Sequence, residues 1–404
     1  MENYLVFIMS IALVGMFMDC LTERFPVLQR QLYRVFFVTI YVLFLIRYYY
    51  GPDIRIYVPH FERIAAPAYL LHHPDKMYFE WGYEMLCSVV KALGGSFWWL
   101  NTVITTLYFA ALAGLFRSLK RHQLFAFSCV ILLDYNLIYA QIRECLAVSF
   151  FIFMILCLQN RKYLWAAVLA TLTVVCHKSG FIPVCLTLIC MPLLMMREHA
   201  DIYRILAFML FLLLLIPVSK VDASLIAHLP LPNGYLKSVR HHMLLGRQLQ
   251  IVAAVYLAVL FIVIYLKTPK KDKYNWMAIQ FLTGMLVVVI FYQYFNFLMR
   301  LRSFFVPMIA YYVVTLVNDE DRVRQLPYSQ LVKQSVALVL MVYFVHTTIS
   351  YDRMAKTWHS PVARASTVFE LRNHSQKDIR DRQMRIAKVF WDKDYLKDKK
   401  YRVK

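Results

Sequence analysis

The chain is 404 residues long, 60% hydrophobic and 16% aromatic, with only 10 Gly and a mean hydropathy of +0.52; this excludes a soluble domain and marks an integral membrane protein. Its formal net charge of +21 does not point to nucleic acid, because Lys and Arg fall between apolar runs and in the C-terminal tail, where they set topology. The 8 Cys form no CxxC pair, and Cys129, Cys145, Cys157, Cys176, Cys185 and Cys190 lie in or beside apolar runs, so they read as small hydrophobes and not as a disulfide frame or metal site.

The first apolar run, Tyr4 to Met18, has no basic stretch before it and no small-residue cleavage site after it, and is read as a retained span. Further apolar segments follow at roughly 33–50, 97–116, 124–140, 144–158, 163–176, 180–196, 203–218, 249–267, 276–294, 303–317 and 332–349. Together they predict an all-α, polytopic transmembrane helix bundle of about twelve spans. The segment Gly82 to Leu93 is amphipathic and too short to cross, so an interfacial or re-entrant helix is expected near 82–94. Residues 1–349 form the transmembrane domain and 350–404 a basic tail. Spaced Ile379, Ile386, Val389, Phe390 and Leu396 suit either a helix on anionic lipid or a solvated tail.

Alternate breaks between the apolar runs differ in charge. One set holds Arg24, Arg30, Arg34, Arg117, Lys120, Arg121, Arg161, Lys162, Arg197, Arg204, Lys267, Lys270, Lys271, Lys273, Arg322 and Arg324, whereas the other short breaks hold Arg143, Lys178, Arg300 and Arg302. The positive-inside rule places the first set in the cytoplasm. The N-terminus, the longer loops 51–96 and 219–248, and the sparse charges then face outward. With twelve spans the tail, with about fifteen Lys and Arg, would also lie outside, against the same rule. Either the tail is an exception or a span is miscounted, and a miscount near the C-terminal end is the favoured reading; a thirteenth crossing at Gly82 to Leu93 is the other possibility, and it would split the polar breaks between two faces.

The outward breaks carry the candidate chemistry. A span ends at Gly51-Pro52-Asp53, where the turn holds the Asp53 carboxylate at the membrane surface. There Asp53 can take a proton from a sugar hydroxyl, pair with a cation, or cap the next short helix. Tyr57, His60, Phe61 and Glu62 follow. Phe79-Glu80-Trp81-Gly82-Tyr83-Glu84 mixes acids with aromatics, as sugar-contacting surfaces do and as an interfacial aromatic belt also does. Arg143 opens a span after Gln141-Ile142, and a cation beside a positive helix N-terminus suits a phosphate. The alternative is an ion pair of Arg143 with Glu144 or Asp53. His177-Lys178-Ser179-Gly180 joins two apolar runs with almost no loop, and His177 is either an acid–base group or an interhelical hydrogen-bonder. Arg300 and Arg302 add two guanidinium groups that, with Arg143, can clamp a diphosphate, or act as helix-end snorkellers.

Other chemistries leave no trace. GxxxxGK[ST], GxGxxG and HExxH are missing, which supports neither an ATPase, nor a dinucleotide enzyme, nor a zinc protease. Asp319-Glu320-Asp321 sits in a loop too short for a sugar-nucleotide domain, and His72-His73 and His241-His242 lack ligand spacing. No cofactor and no metal is expected.

The order of these pieces over roughly residues 30–315 resembles the EpsG family of polysaccharide-biosynthesis membrane proteins, relatives of the Wzy-type polymerases. The matching residues are Gly51-Pro52-Asp53 with Tyr57 and Phe61, Glu80 with Gly82-Tyr83-Glu84, Ile142-Arg143 with Leu146-Ala147, His177-Lys178-Ser179, and Arg300 with Arg302. Pro52 stands where the pattern often has a small polar residue. The resemblance implies a membrane glycosyltransferase of the GT-C type in the bacterial inner membrane, polymerising polyprenyl-diphosphate-linked repeat units at its outer face. For that reaction the residue chemistry assigns, as a hypothesis, Arg143 with Arg300 or Arg302 to the diphosphate and Asp53 or His177 to activation of the acceptor hydroxyl. Glu80, Trp81, Tyr57 and Lys178 would contact substrate. Expected partners are the polyprenyl-diphosphate-linked glycans, membrane lipid, chain-length regulator proteins and flippase proteins. The alternatives are a flippase for lipid-linked oligosaccharide, which needs polar residues through the middle of several spans, and a single-sugar transferase using polyprenyl phosphate.

Overall fold

The computed structural model describes residues 4–50, 53–195, 301–318 and 365–391. The chain divides into two compact units, one of residues 1–178 with 313–404 and the other of residues 179–312. In the first unit α1 (Tyr4–Leu21) and α2 (Pro26–Ile46) lead into a strand, β1 (Arg47–Tyr50), and three short helices, α3 (Ile54–Arg63), α4 (Pro67–His72) and α5 (Trp81–Ala92). Then come α6 (Phe97–Phe116), α7 (Gln123–Tyr139), α8 (Ile142–Gln159) and α9 (Tyr163–Cys176). The second unit holds α10 (Phe181–Met195) and the start of α11 (Arg302–Asn318). Near the C-terminus are β2 (Ala365–Thr367) and α12 (Gln376–Trp391).

Among the described residues four helices, α1, α2, α6 and α8, are long and apolar enough to cross a membrane. The 20 residues of α6 extend about 30 Å, the thickness of the hydrocarbon layer. Segments α9, α10 and the first part of α7 are apolar but shorter. The expected spans at 203–218, 249–267, 276–294 and 332–349 lie outside the described residues. On α2, Val35, Val38 and Val42 are exposed at helical spacing, an apolar stripe facing outward as a lipid-contacting helix requires.

Three boundaries differ from the sequence expectation. The helix expected at 33–50 starts at Pro26 and stops at Ile46; Pro suits a first helical position because its missing N–H has no partner there anyway. Residues 47–50 form β1, paired antiparallel with β2, the one departure from an all-α fold among the described residues. The helix near 124–140 is interrupted at Asp134, whose backbone (φ −130°, ψ 29°) is not helical.

Aromatic packing ties α2, α6 and α7 together. The Phe37 ring lies 4.9 Å from Phe127 and 5.4 Å from Phe109, separations at which offset and edge contacts are favourable. Helix α8 lies against α9 and α6, and α7 against α1 and α2.

Helix α5 does not cross. Its 12 residues span only about 18 Å, and both ends sit at the same end of the long helices. Its start meets the last turn of α9, where Gly82 faces Val175 and Cys176. Near its other end Lys91 donates to the carbonyls of Glu62 and Ile64, and Phe61 stacks on Phe97 at the start of α6. At this length α5 is too short for a perpendicular thirteenth crossing.

At the opposite end, α1, α2 and α7 are knotted by a polar cluster. Asp19 and His122 are almost fully buried, and His122 Nδ1 lies 2.6 Å from the Asp19 carboxylate. Gln29 donates to the Asp19 carbonyl at 2.9 Å, and Glu23 sits 3.8 Å from the other ring nitrogen. Buried charge is tolerated here because it is paired.

Candidate functional site

One end of the first unit gathers residues from four separate sequence stretches: α3, the turn before α5, the start of α8 and the end of α9. Arg143, in the first turn of α8, points its guanidinium into this junction. Its Nη1 donates to Glu80 Oε2 at 2.6 Å and its Nε to the Tyr57 hydroxyl at 3.3 Å. The group also lies over Phe79, 4.2 Å from the ring centre, a cation–π contact strengthened by partial desolvation. Its Nη2 has no protein partner among the described residues, and the side chain is 19% exposed. Arg143 is thus held at two corners and presents the third.

Glu80 is shared. One oxygen takes Arg143 and the other lies 3.8 Å from His177 Nδ1. Burial favours the neutral acid, but Arg143 and His177 beside it outweigh that and hold the carboxyl below the usual glutamate range, so Glu80 is an anion at neutral pH. His177 follows α9 in extended conformation, its amide bonded to the Thr173 carbonyl at 3.3 Å, and is 8% exposed. With Nδ1 toward the carboxylate, the imidazole is oriented by an acid, as in acid–base sites.

The local chain explains why Glu80 stands there. It is the N-cap of α5 with extended backbone. Glu84, one turn on, reaches back and accepts the amides of Tyr78 and Phe79 at 3.0 and 2.7 Å, fixing the chain as it enters the helix. Burial works against ionised Glu84 as well, but His60, 3.0 Å away, and the two amides keep its carboxyl below the ordinary value. The His60 ring packs edge-on to Phe79 at 4.6 Å. A Cβ at residue 82 would lie 2.8 Å from Cys176 Sγ and 3.1 Å from a backbone carbon of Val175. Only glycine allows α5 to approach α9 closely enough for Glu80 to face His177.

The predicted site residues thus fall into four groups. Arg143, Glu80, His177 and Tyr57 meet. Trp81 and Lys178 flank them, exposed, as the neighbours of Glu80 and His177. Asp53 is the N-cap of α3, one turn before Tyr57; its carbonyl takes the amides of Ile56 and Tyr57 at 2.9 and 3.1 Å, while its carboxylate makes no capping bond. Arg302 opens α11, and Arg300 lies outside the described residues. One expectation is corrected: the carboxylate partner of Arg143 is Glu80, not Glu144 or Asp53. Glu144 is the next residue on α8, turned about 100° round the helix and 1% exposed, where with Arg47 and Asp134 it lies within electrostatic reach of Cys145.

Phe79, His60 and Glu84 were named within candidate stretches of the sequence but given no role of their own. His60 lies one turn beyond Tyr57 and Glu84 one turn beyond Glu80, so helical spacing from the two nominated residues was the signal for both. Nothing comparable marked Arg47, which is 1% exposed and bonded to Asn101 and Thr105 at 3.0 and 3.3 Å.

A family model described as the EpsG family matches residues 30–359. No curated protein and no solved structure matches the chain.

Proposed function

The chain belongs to the EpsG family, a family of polysaccharide-biosynthesis membrane proteins, and from that premise we propose that it polymerises polyprenyl-diphosphate-linked repeat units at the outer face of the bacterial inner membrane. The whole chain is then a GT-C-type bundle of about twelve spans, working with flippase and chain-length regulator proteins. The observation that carries this reading is Arg143, fixed by Glu80 and Tyr57 yet with Nη2 open, beside a helix N-terminus. A guanidinium so placed meets a diphosphate oxygen without rearranging, and stabilises the charge that grows as the sugar–diphosphate bond breaks. Hydrolytic or nucleotide energy is not needed, since that bond supplies the driving force.

In this mechanism His177 takes the proton of the acceptor hydroxyl as that oxygen attacks the anomeric carbon of the donor glycan. Glu80 stabilises the resulting imidazolium. The bond to diphosphate breaks, and the lipid diphosphate leaves on Arg143, with Arg300 or Arg302 completing the clamp. Asp53, at the start of α3, is the alternative base. Trp81 and Lys178 line the approach, where a ring face stacks on sugar C–H groups.

The test is an Arg143→Ala strain. Loss of one preorganised charge-stabilising donor costs about a hundredfold or more in rate, so the strain is expected to display single repeat units at the outer face and no long glycan. A wild-type ladder of chain lengths would remove Arg143 from the chemistry. Repeat units trapped on the cytoplasmic side would point to a flippase instead.

A further inference from the structure

The positive-inside rule sets the basic tail against the outward face, yet the tail packs on that face. Strand β2 pairs with β1 in the register Arg47↔Thr367 and Tyr48↔Ser366. Helix α12 lies against α3 and β1, with Ile379 and Gln383 buried. Arg380 grips Glu62 on α3 through two parallel hydrogen bonds of 2.7 and 2.8 Å, the fork geometry that orients as well as attracts. These contacts hold both arms of the Asp53 turn: β1 enters it, and α3, which carries Tyr57 and His60, leaves it.

Backbone pairing cannot reach across about 30 Å of hydrocarbon, so residues 47 and 365 share one side of the membrane. An even number of crossings must separate α2 from β2. The apolar segments read in the sequence between 97 and 349 number ten, which agrees. The charge rule does not stand against this, because it acts within about twenty residues of a span end. Of the tail's Lys and Arg, only Arg353, Lys356 and Arg364 fall that close to residue 349.

We propose that residues 365–391 form a clamp on the site's side of the membrane that positions α3, and through Tyr57 the Arg143 guanidinium. The family match ends at residue 359, so the clamp lies outside the part of the chain that it covers. Arg380 and Glu62 are positioning residues here, not catalytic ones.

Two readouts test this. Membrane-impermeant maleimide is applied to intact cells carrying Asn373→Cys, with Asp75→Cys marking the site end, Lys162→Cys the opposite end, and the unsubstituted protein as blank. Asn373→Cys is expected to label with Asp75→Cys; labelling that follows Lys162→Cys overturns the proposal. The second readout is glycan length in Glu62→Arg, Arg380→Glu and the double reversal. An exposed but bidentate pair is worth up to about fivefold, so each single reversal should shorten the ladder by a few-fold and the double should restore it. Unchanged singles, or a double no better than the worse single, overturn the positioning role. This second readout rests on the polymerase reading and the labelling does not. Arg143→Ala run alongside separates the two failures, since its lost ladder upholds the enzyme when the clamp does not.

Discussion

The two ends of the helix bundle each hold an acid and an imidazole, but they are built differently. At the end where α1, α2 and α7 meet, Asp19 and His122 are almost fully buried, 2.6 Å apart and enclosed by Gln29 and Glu23. At the other end, Glu80 lies between Arg143 and His177, partly open to solvent, and one corner of Arg143 has no protein partner among the described residues. The first arrangement turns its charges on each other away from solvent, as a structural knot does, although Asp19 Oδ1 and Gln29 Oε1 have no hydrogen-bond partner there among the described residues. The second leaves capacity for a ligand, and the contrast shows that openness, more than the residue types present, separates a site from a brace.

The largest expected effect breaks the closed end. His122→Ala leaves Asp19 buried without its partner, at a cost of about 3–5 kcal/mol. The level of folded protein in the membrane and its thermal midpoint in detergent should fall sharply, while glycan length per surviving molecule stays near wild type. A shortened ladder at equal protein level would erase the distinction between the ends. Next is Gly82→Ala, which forces a Cβ against Cys176 and Val175. Overpacking of this kind costs about 1–3 kcal/mol, and separating α5 from α9 should lower polymerisation further than stability; Cys176→Ala is expected to relieve part of the clash.

A smaller effect is set by pH. The Glu80 carboxyl titrates below its ordinary 4.5 in the folded protein, so its stabilising contribution is present above that value and lost as pH falls through the lowered one. Wild type and Glu80→Gln should therefore differ in thermal stability at neutral pH and converge under acid, as read by melting in detergent across pH 3 to 7. A gap that widened on acidification would contradict the sign. The smallest effect belongs to Trp81→Ala. An exposed ring that stacks on sugar contributes about 0.5–1.5 kcal/mol, so product should drop a few-fold with no loss of stability.

Much of the fold was legible because lipid imposes a simple rule: long apolar runs become helices. The segments at 97–116 and 163–176 match α6 and α9 in the structure. Boundaries failed where the chain leaves the apolar layer. Arg47–Tyr50 was read as the end of the 33–50 span yet forms a strand; its partner β2 lies more than 300 residues away, and local pattern carries no sign of it. The site was legible in its residues but not in its wiring. Arg143 stood out as a cation where the charge rule wants none, and Glu80 as an acid among aromatics. That these two are each other's partners depends on Gly82 and on the Glu84 cap bringing α5 against α9, a long-range arrangement that spacing does not encode. Arg47 gave no signal at all, since a buried arginine at a helix end reads like any interfacial one.

Binding of a polyprenyl diphosphate to the purified protein, compared among wild type, Arg143→Ala and His122→Ala, bears most directly on the open corner. Hydrogen bonds to a charged group are worth about 1.5–3 kcal/mol, so Arg143→Ala should weaken affinity about 10- to 100-fold, while His122→Ala, measured below its lowered melting point, should bind as wild type does. Equal affinity in wild type and Arg143→Ala would contradict the assignment of that guanidinium to the diphosphate.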